Sequence, residues 1–116
     1  MAAFSTTDRY VSFASQVATG AGDPIRVTGW PMTTFQVKAV DAGPGVDFVV
    51  TIQGTLLEDP SLGTDDDWYD LDSHTLASEG SVSTTVDNEA HAYLRANVTA
   101  WVKGEASVSY RHGERR

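Results

Sequence analysis

The residues best equipped for chemistry are carboxylates and histidines. Asp59, Asp65, Asp66, Asp67, Asp70 and Asp72 crowd one stretch of the chain and supply the oxygen ligands that calcium prefers. Their spacing lacks the Asp-x-Asp-x-Asp-Gly register of a calcium loop, and adjacent aspartates cannot all converge on one ion. They are read as a solvated acidic loop, with no metal and no cofactor expected. Two of them could serve as the acid and base of a glycosidase. Nothing singles out a pair, however, and a chain of 116 residues has little room for a deep cleft. His74, His91 and His112 stand far apart, with neither an H-x-x-x-H nor an H-E-x-x-H pairing, so each is read as an isolated core or surface histidine. No G-x-S-x-G elbow occurs. Gly43-Pro44-Gly45 is a turn, since no Walker lysine follows it. Asn97-Val98-Thr99 fits the glycosylation sequon but falls inside an expected strand, and is read as chance. The expectation is a protein that is not an enzyme.

Aromatic residues point toward binding. Trp30, Trp68, Tyr69, Tyr93 and Trp101 offer flat apolar faces that could stack on sugar rings. Trp68 is assigned to the core, capping one end of the fold. Alternation places Trp101 on the same side as Tyr93 and Arg95, opposite Leu94, Val98 and Val102. Interfaces favour Trp, Tyr and Arg, so these three are the leading partner-binding candidates. Arg111, Arg115 and Arg116 of the basic C-terminal run join them.

These side chains need strands to position them. Residues 1–22, rich in Ala, Ser, Thr and Gly, are read as an N-terminal arm or edge strand, with residues 10–13 able to start a strand. Strands follow over 25–30, 34–40 (Phe35, Val37 and Ala39 to one side) and 47–56 (Phe48, Val50, Ile52 and Gly54 to one side). Residues 57–67 form the acidic loop. Shorter strands are expected at 68–71, 76–77 and 81–86. The strongest run is 92–102, with Leu94, Ala96, Val98, Ala100 and Val102 inward and Tyr93, Arg95, Asn97, Thr99 and Trp101 outward; 106–111 closes the chain. Period-two alternation wets one face of each strand, which suits antiparallel sheets. With no convincing helix, the fold class is all-β: a single antiparallel β-sandwich or jelly roll of about seven to eight strands, spanning 23–111, with 112–116 as a short basic tail.

Composition narrows the function. Eight Lys and Arg against sixteen Asp and Glu leave a net charge of −8, which argues against charge-driven binding to nucleic acid or to an anionic membrane. Cysteine is absent, so neither disulfides nor thiolate metal sites are available. No window is apolar for long enough to span a bilayer. The first residues, without a basic or apolar region, do not read as a secretory leader.

Two stretches carry a family resemblance. Val50-Thr51-Ile52-Gln53-Gly54-Thr55-Leu56 is followed, after the loop, by Asp66-Asp67-Trp68-Tyr69-Asp70-Leu71. Further on, residues 92–101 read Ala-Tyr-Leu-Arg-Ala-Asn-Val-Thr-Ala-Trp, and Gly104 precedes a last strand ending at Tyr110. Over about residues 34–111 this resembles small β-sandwich accessory proteins of tailed bacteriophage particles, most of all capsid decoration (cement) proteins. It is also similar to discoidin-like jelly rolls. The chain departs from that pattern in its longer, more acidic 57–67 loop. The resemblance implies a protein made in the host cytoplasm and bound to the outer surface of the phage head. Its partners would be the major capsid protein and, in a homotrimer, other copies of itself. Two alternatives accompany it: a carbohydrate-binding module of a tail or receptor-binding apparatus, and another virion component such as a head–tail joining protein.

Overall fold

Alternating branched apolar and hydroxyl-bearing side chains form nine strands in the computed structural model, which describes residues 9–113. They are β1 (Tyr10–Gln16), β2 (Gly20–Ala21), β3 (Ile25–Arg26), β4 (Met32–Val40), β5 (Asp47–Thr55), β6 (Tyr69–Leu76), β7 (Gly80–Asp87), β8 (Tyr93–Lys103) and β9 (Glu105–Gly113), with three single 3₁₀ turns between them. One sheet runs β1-β9-β4-β7. The other runs β2-β8-β5-β6, with β3 also on β8. Every pairing is antiparallel.

β2 and β3 occupy one strand's place along β8, at Val98–Asn97 and Leu94–Tyr93 respectively. Between them Pro24 has no N–H to donate, while Gly22 keeps contact through its amide, 2.8 Å from the Ala96 carbonyl. Two facing layers of four strand positions result. Apart from the β2–β3 and β5–β6 links, each connection carries the chain from one sheet to the other, which is the jelly-roll arrangement.

The core lies between the sheets. Phe35, Val37 and Val108 from the first meet Phe48, Val50, Ile52, Leu94, Ala96 and Val98 from the second. The inward faces expected for β4 and β5 are these. Elsewhere the structure corrects the sequence reading. Residues 25–30 contribute only a two-residue strand, after which the chain leaves the ladder toward Pro31. The segments expected at 68–71 and 76–77 are one strand, β6. Its Asp70-Leu71-Asp72-Ser73-His74 run has the composition of a loop, but the free edge of β5 pairs with it. The described part of the N-terminal segment lies in the sandwich's own sheets, with β1 along the edge of β9 and β2 on β8. Two register shifts roughen the edge strand β1, a feature that discourages edge-to-edge addition. β9 runs to Gly113, two residues past its expected end.

The largest correction concerns β8. Val50 pairs with Val98, but Val49 pairs with Ala100, so Thr99 is an extra residue; Phe48 pairs with Trp101 and Asp47 with Lys103, so Val102 is another. Each bulge shifts the alternation by one residue. Ala100 is therefore exposed, Val102 is 63% exposed, and Trp101 packs on the core opposite Phe48.

Beyond this point the chain crosses between the sheets through Gly104 alone. Its φ of +96° lies in the region that glycine tolerates best. The Trp101 indole N–H donates to the Gly104 carbonyl at 2.9 Å and fixes the corner. A Cβ at Gly104 would come within 3.1 Å of the Val46 Cα, which is backbone and cannot rotate aside. Gly104→Ala is expected to cost about 2 kcal/mol, or roughly 8 °C in Tm, in thermal unfolding followed by circular dichroism. An unchanged midpoint would contradict this account of the corner.

Candidate functional site

The two outer faces of the sandwich differ in chemistry. On the second sheet, the side chains opposite the core are polar and yet buried: Thr51, Gln53 and Thr55 from β5, and Arg95 from β8. The 56–68 segment lies against Thr55 and Arg95, while Thr51 meets Ser73 of β6 and Thr99 of β8. Gln53 Oε1 accepts from Arg95 Nε at 2.8 Å and from Asn97 Nδ2 at 3.2 Å. Gln53 Nε2 donates to Asp70 Oδ1 at 2.8 Å, so the amide is engaged at both ends. The Arg95 guanidinium lies 4.3 Å from the Trp68 ring centroid, a cation–π stack. Its Nη2 reaches Asp65 Oδ1 at 3.3 Å. Thr55 Oγ1 donates to the Asp67 carbonyl at 2.9 Å, a second tie between sheet and loop.

The loop is also braced internally. Asp59 Oδ1 accepts from the Ser61 amide and hydroxyl at 3.1 and 2.6 Å, capping the Pro60–Leu62 turn. Asp67 Oδ2 accepts from the Thr64 amide at 2.8 Å, closing a capping box around Asp65–Asp67. Three of the aspartates considered as cation ligands are thus committed to caps or to Arg95. Glu58 and Asp66 have no hydrogen bond or ion pair among the described residues. Leu62 at the loop tip is 83% exposed and Leu56 at its base 69%.

The first sheet carries a different face. Register places Thr34 between Arg111 and Thr85, Gln36 between Ser109 and Ser83, and Lys38 between Ser107 and Ser81. A groove of about 430 Å³ runs over this face, lined by Arg9, Thr34, Gln36, Ser83, Ser109 and Arg111. A second hollow beside it reaches Lys38. Val11, aligned with Ser109, adds an apolar side chain that is 56% exposed.

The expected binding constellation therefore divides. Tyr93 is half-buried on the same face as Arg95. Arg95 is only 8% exposed, and its Nε, its Nη2 and its flat face are engaged within the chain, so it is not a free contact residue. Trp101 lies on the opposite, core-facing side, because the Thr99 bulge reversed its phase. Trp68 is on the outer face over Arg95 and not in the core cluster to which the sequence assigned it. Arg111 is exposed on the first sheet. Arg115 and Arg116 lie outside the described residues. Sequence reasoning missed Gln53. The signal was present, since Gln53 and Arg95 are outward positions of two adjacent strands.

Each histidine has its own partners. His74 Nε2 contacts Thr84 Oγ1, which donates to Asp72 Oδ2 at 2.7 Å and so links β6 to β7 across the open edge of the sandwich. His91 Nδ1 and the Tyr69 hydroxyl are 2.7 Å apart. His112 Nδ1 is 2.8 Å from Thr33 Oγ1, and its ring stacks on Trp30 at 5.3 Å. Burial lowers the pKa of both His91 and His112, with Asp87 opposing the shift at His91. No group of His, Cys, Asp or Glu able to hold a metal ion occurs among the described residues, and no helix there is long and apolar enough to cross a membrane.

No family model matches the chain, and no curated protein matches it. Among solved structures, it is similar to the crystal structure of the SPBc2 prophage-derived protein YomS. The match covers 97% of this chain and 96% of that one, with a TM-score of 0.66 at 12% identity. At that identity the likeness is one of fold. A second similar structure comes from Bacillus endospore appendages, described as disulfide-linked pili. It covers 98% of this chain and 93% of its own, with a TM-score of 0.47 at 16% identity, too low to carry an argument.

Two expectations follow from this geometry. Arg95→Met removes two charge-assisted hydrogen bonds and the stack on Trp68, and is expected to cost about 2 kcal/mol in denaturant unfolding and to change the Trp68 fluorescence. Asp65→Asn is expected to leave stability within error of the parent, since that side chain is 93% exposed. Equal losses from the two variants would move the weight from the hydrogen-bonded hub to the ion pair. His91 and His112, with folded pKa values below the ordinary ~6.5, bind protons less readily folded than unfolded. Their contribution to stability is complete above about pH 6.5 and declines as the pH falls. NMR titration should find both below the value of a free histidine, with Tm falling as the pH drops below about 6.5. A histidine titrating at or above that value would contradict its burial.

Proposed function

We propose that this protein is a non-enzymatic structural component of a bacteriophage particle, and specifically a decoration protein bound as a trimer to the outer surface of the head. The observation that carries the reading is the end-to-end likeness in size and jelly-roll fold to a prophage-derived protein. The shape is compatible with the task. A slab of 44 × 37 × 18 Å offers two broad faces and several loops to neighbouring subunits. A protein that binds across a seam between major capsid subunits adds its free energy to the assembled shell alone, and so stabilises it by mass action. A net charge of −8 helps to keep particles apart in solution.

A carbohydrate-binding reading draws less support. The indole of Trp101 packs on the core, that of Trp30 stacks on His112 and that of Trp68 faces Arg95, so each of these platforms has a partner within the chain. Quantitative mass spectrometry of purified particles tests the proposal. A copy number comparable to that of the major capsid protein is the expected result. A handful of copies per particle would relocate the chain to the head–tail junction or tail and overturn decoration. Absence from the particle would overturn the virion role altogether.

A further inference from the structure

Charge is unevenly shared between the two sides of this sandwich. Arg9, Lys38 and Arg111 line the outer face of the first sheet, and none of them is in an ion pair among the described residues. The groove is lined by Arg9 and Arg111 and by no carboxylate, while Glu79 lines the neighbouring hollow with Lys38. Across the slab, the 56–68 segment carries Glu58, Asp59, Asp65, Asp66 and Asp67, of which only Asp65 is in an ion pair, with Arg95; Arg26 and Lys103 also belong to that sheet. Loop and groove belong to opposite sheets. The loop is tied down on its own sheet through Arg95 and Thr55, so it cannot reach the groove of its own chain.

The two surfaces match in more than charge. At the loop, 83%-exposed Leu62 lies between Glu58 and Asp66 in the sequence, and both of those carboxylates are uncommitted. At the groove, exposed Val11, opposite Ser109, supplies apolar surface on the face that carries Arg9 and Arg111. The loop is held by two capped 3₁₀ turns and a hydrogen-bonded base, so little ordering entropy opposes its docking. We propose that the groove on the first sheet receives the 57–67 loop of a second copy of this chain, with Leu62 against Val11 and the loop carboxylates facing Arg9 and Arg111. The contact is heterologous, since loop meets groove and not loop, so each copy keeps one free groove and one free loop until a ring closes. This inference stands on the charge and shape of the two faces, and does not depend on the virion reading.

Light scattering and sedimentation of the full chain across a concentration series test it. The mass is expected to rise above that of one chain, 12.5 kDa, and to return to it at about 1 M salt, where the Debye length is ~3 Å. The groove variant Arg9→Glu/Arg111→Glu and the loop variant Glu58→Arg/Asp66→Arg should each weaken association by about tenfold or more. Neither should alter Tm at concentrations low enough for the parent to be monomeric, because these side chains have no partners within the described chain. An equimolar mixture of the two variants restores complementary pairs and should recover the assembly. Leu62→Ser, at a position open to solvent, should weaken association without reversing any charge. A wild-type chain that stays monomeric at every concentration would overturn the proposal. So would reversed variants that associate like the parent, or a mixture that fails to recover assembly. Binding of the groove to some other acidic molecule by a monomeric chain would overturn the second copy as its occupant.

Discussion

Arg95 is where the demands of this structure converge. A guanidinium cannot shed its charge, so burying it is tolerable only if its donors and its flat face are all met. Gln53 meets it from the neighbouring strand, Asp65 from the loop and Trp68 from above. Gln53 is held in turn by Asp70 and shared with Asn97, so the amide cannot turn away. One cation thereby joins two strands and the long acidic segment that would otherwise stand off in water. The second sheet is covered on both faces as a result: by the apolar core inside and by a hydrogen-bonded polar layer outside.

The bulges in β8 do complementary work. An unbroken strand would send Trp101 outward and bury Val102. The extra residues at Thr99 and Val102 turn the indole onto the core, where its N–H also reaches the carbonyl of Gly104. A large aromatic and a glycine of positive φ then make a one-residue crossing between sheets. A shorter route between two layers of a sandwich is hard to build, and it places β9 directly between β1 and β4. The outer face of the first sheet, with Arg111 at its centre, depends on that placement.

The resulting molecule is polar in the electrical sense. Carboxylates gather at the loop, whereas the groove on the first sheet is lined by Arg9 and Arg111 and by no carboxylate, so the field favours orientations in which loop and groove meet. Most of the loop's carboxylates also cap turns or receive Arg95. They shape a firm projection while contributing charge to it. For a protein whose proposed work is adhesion between subunits, stiffness of this kind matters more than a deep pocket.

Much of the architecture was legible in the chain. Alternation of Phe35, Val37 and Ala39, and of Phe48, Val50 and Ile52, marks inward faces because side chains on a strand point to opposite sides in turn, whatever the strand pairs with. Gly and Pro clusters mark the breaks for reasons equally local. Those features made an all-β sandwich readable from residues alone. Three matters were decided only by tertiary structure. The loop-like composition of residues 70–74 became a strand because β5 had a free edge to pair. Arg95 is buried on its expected outer face, and Trp68 lies over it and not in the core, because the acidic segment folded onto the sheet. Trp101 changed sides because bulges depend on how a strand registers against its neighbour. Alternation is a property of one strand, whereas register, cover and edge belong to pairs of segments far apart in the sequence, and their cost is settled only when those segments meet.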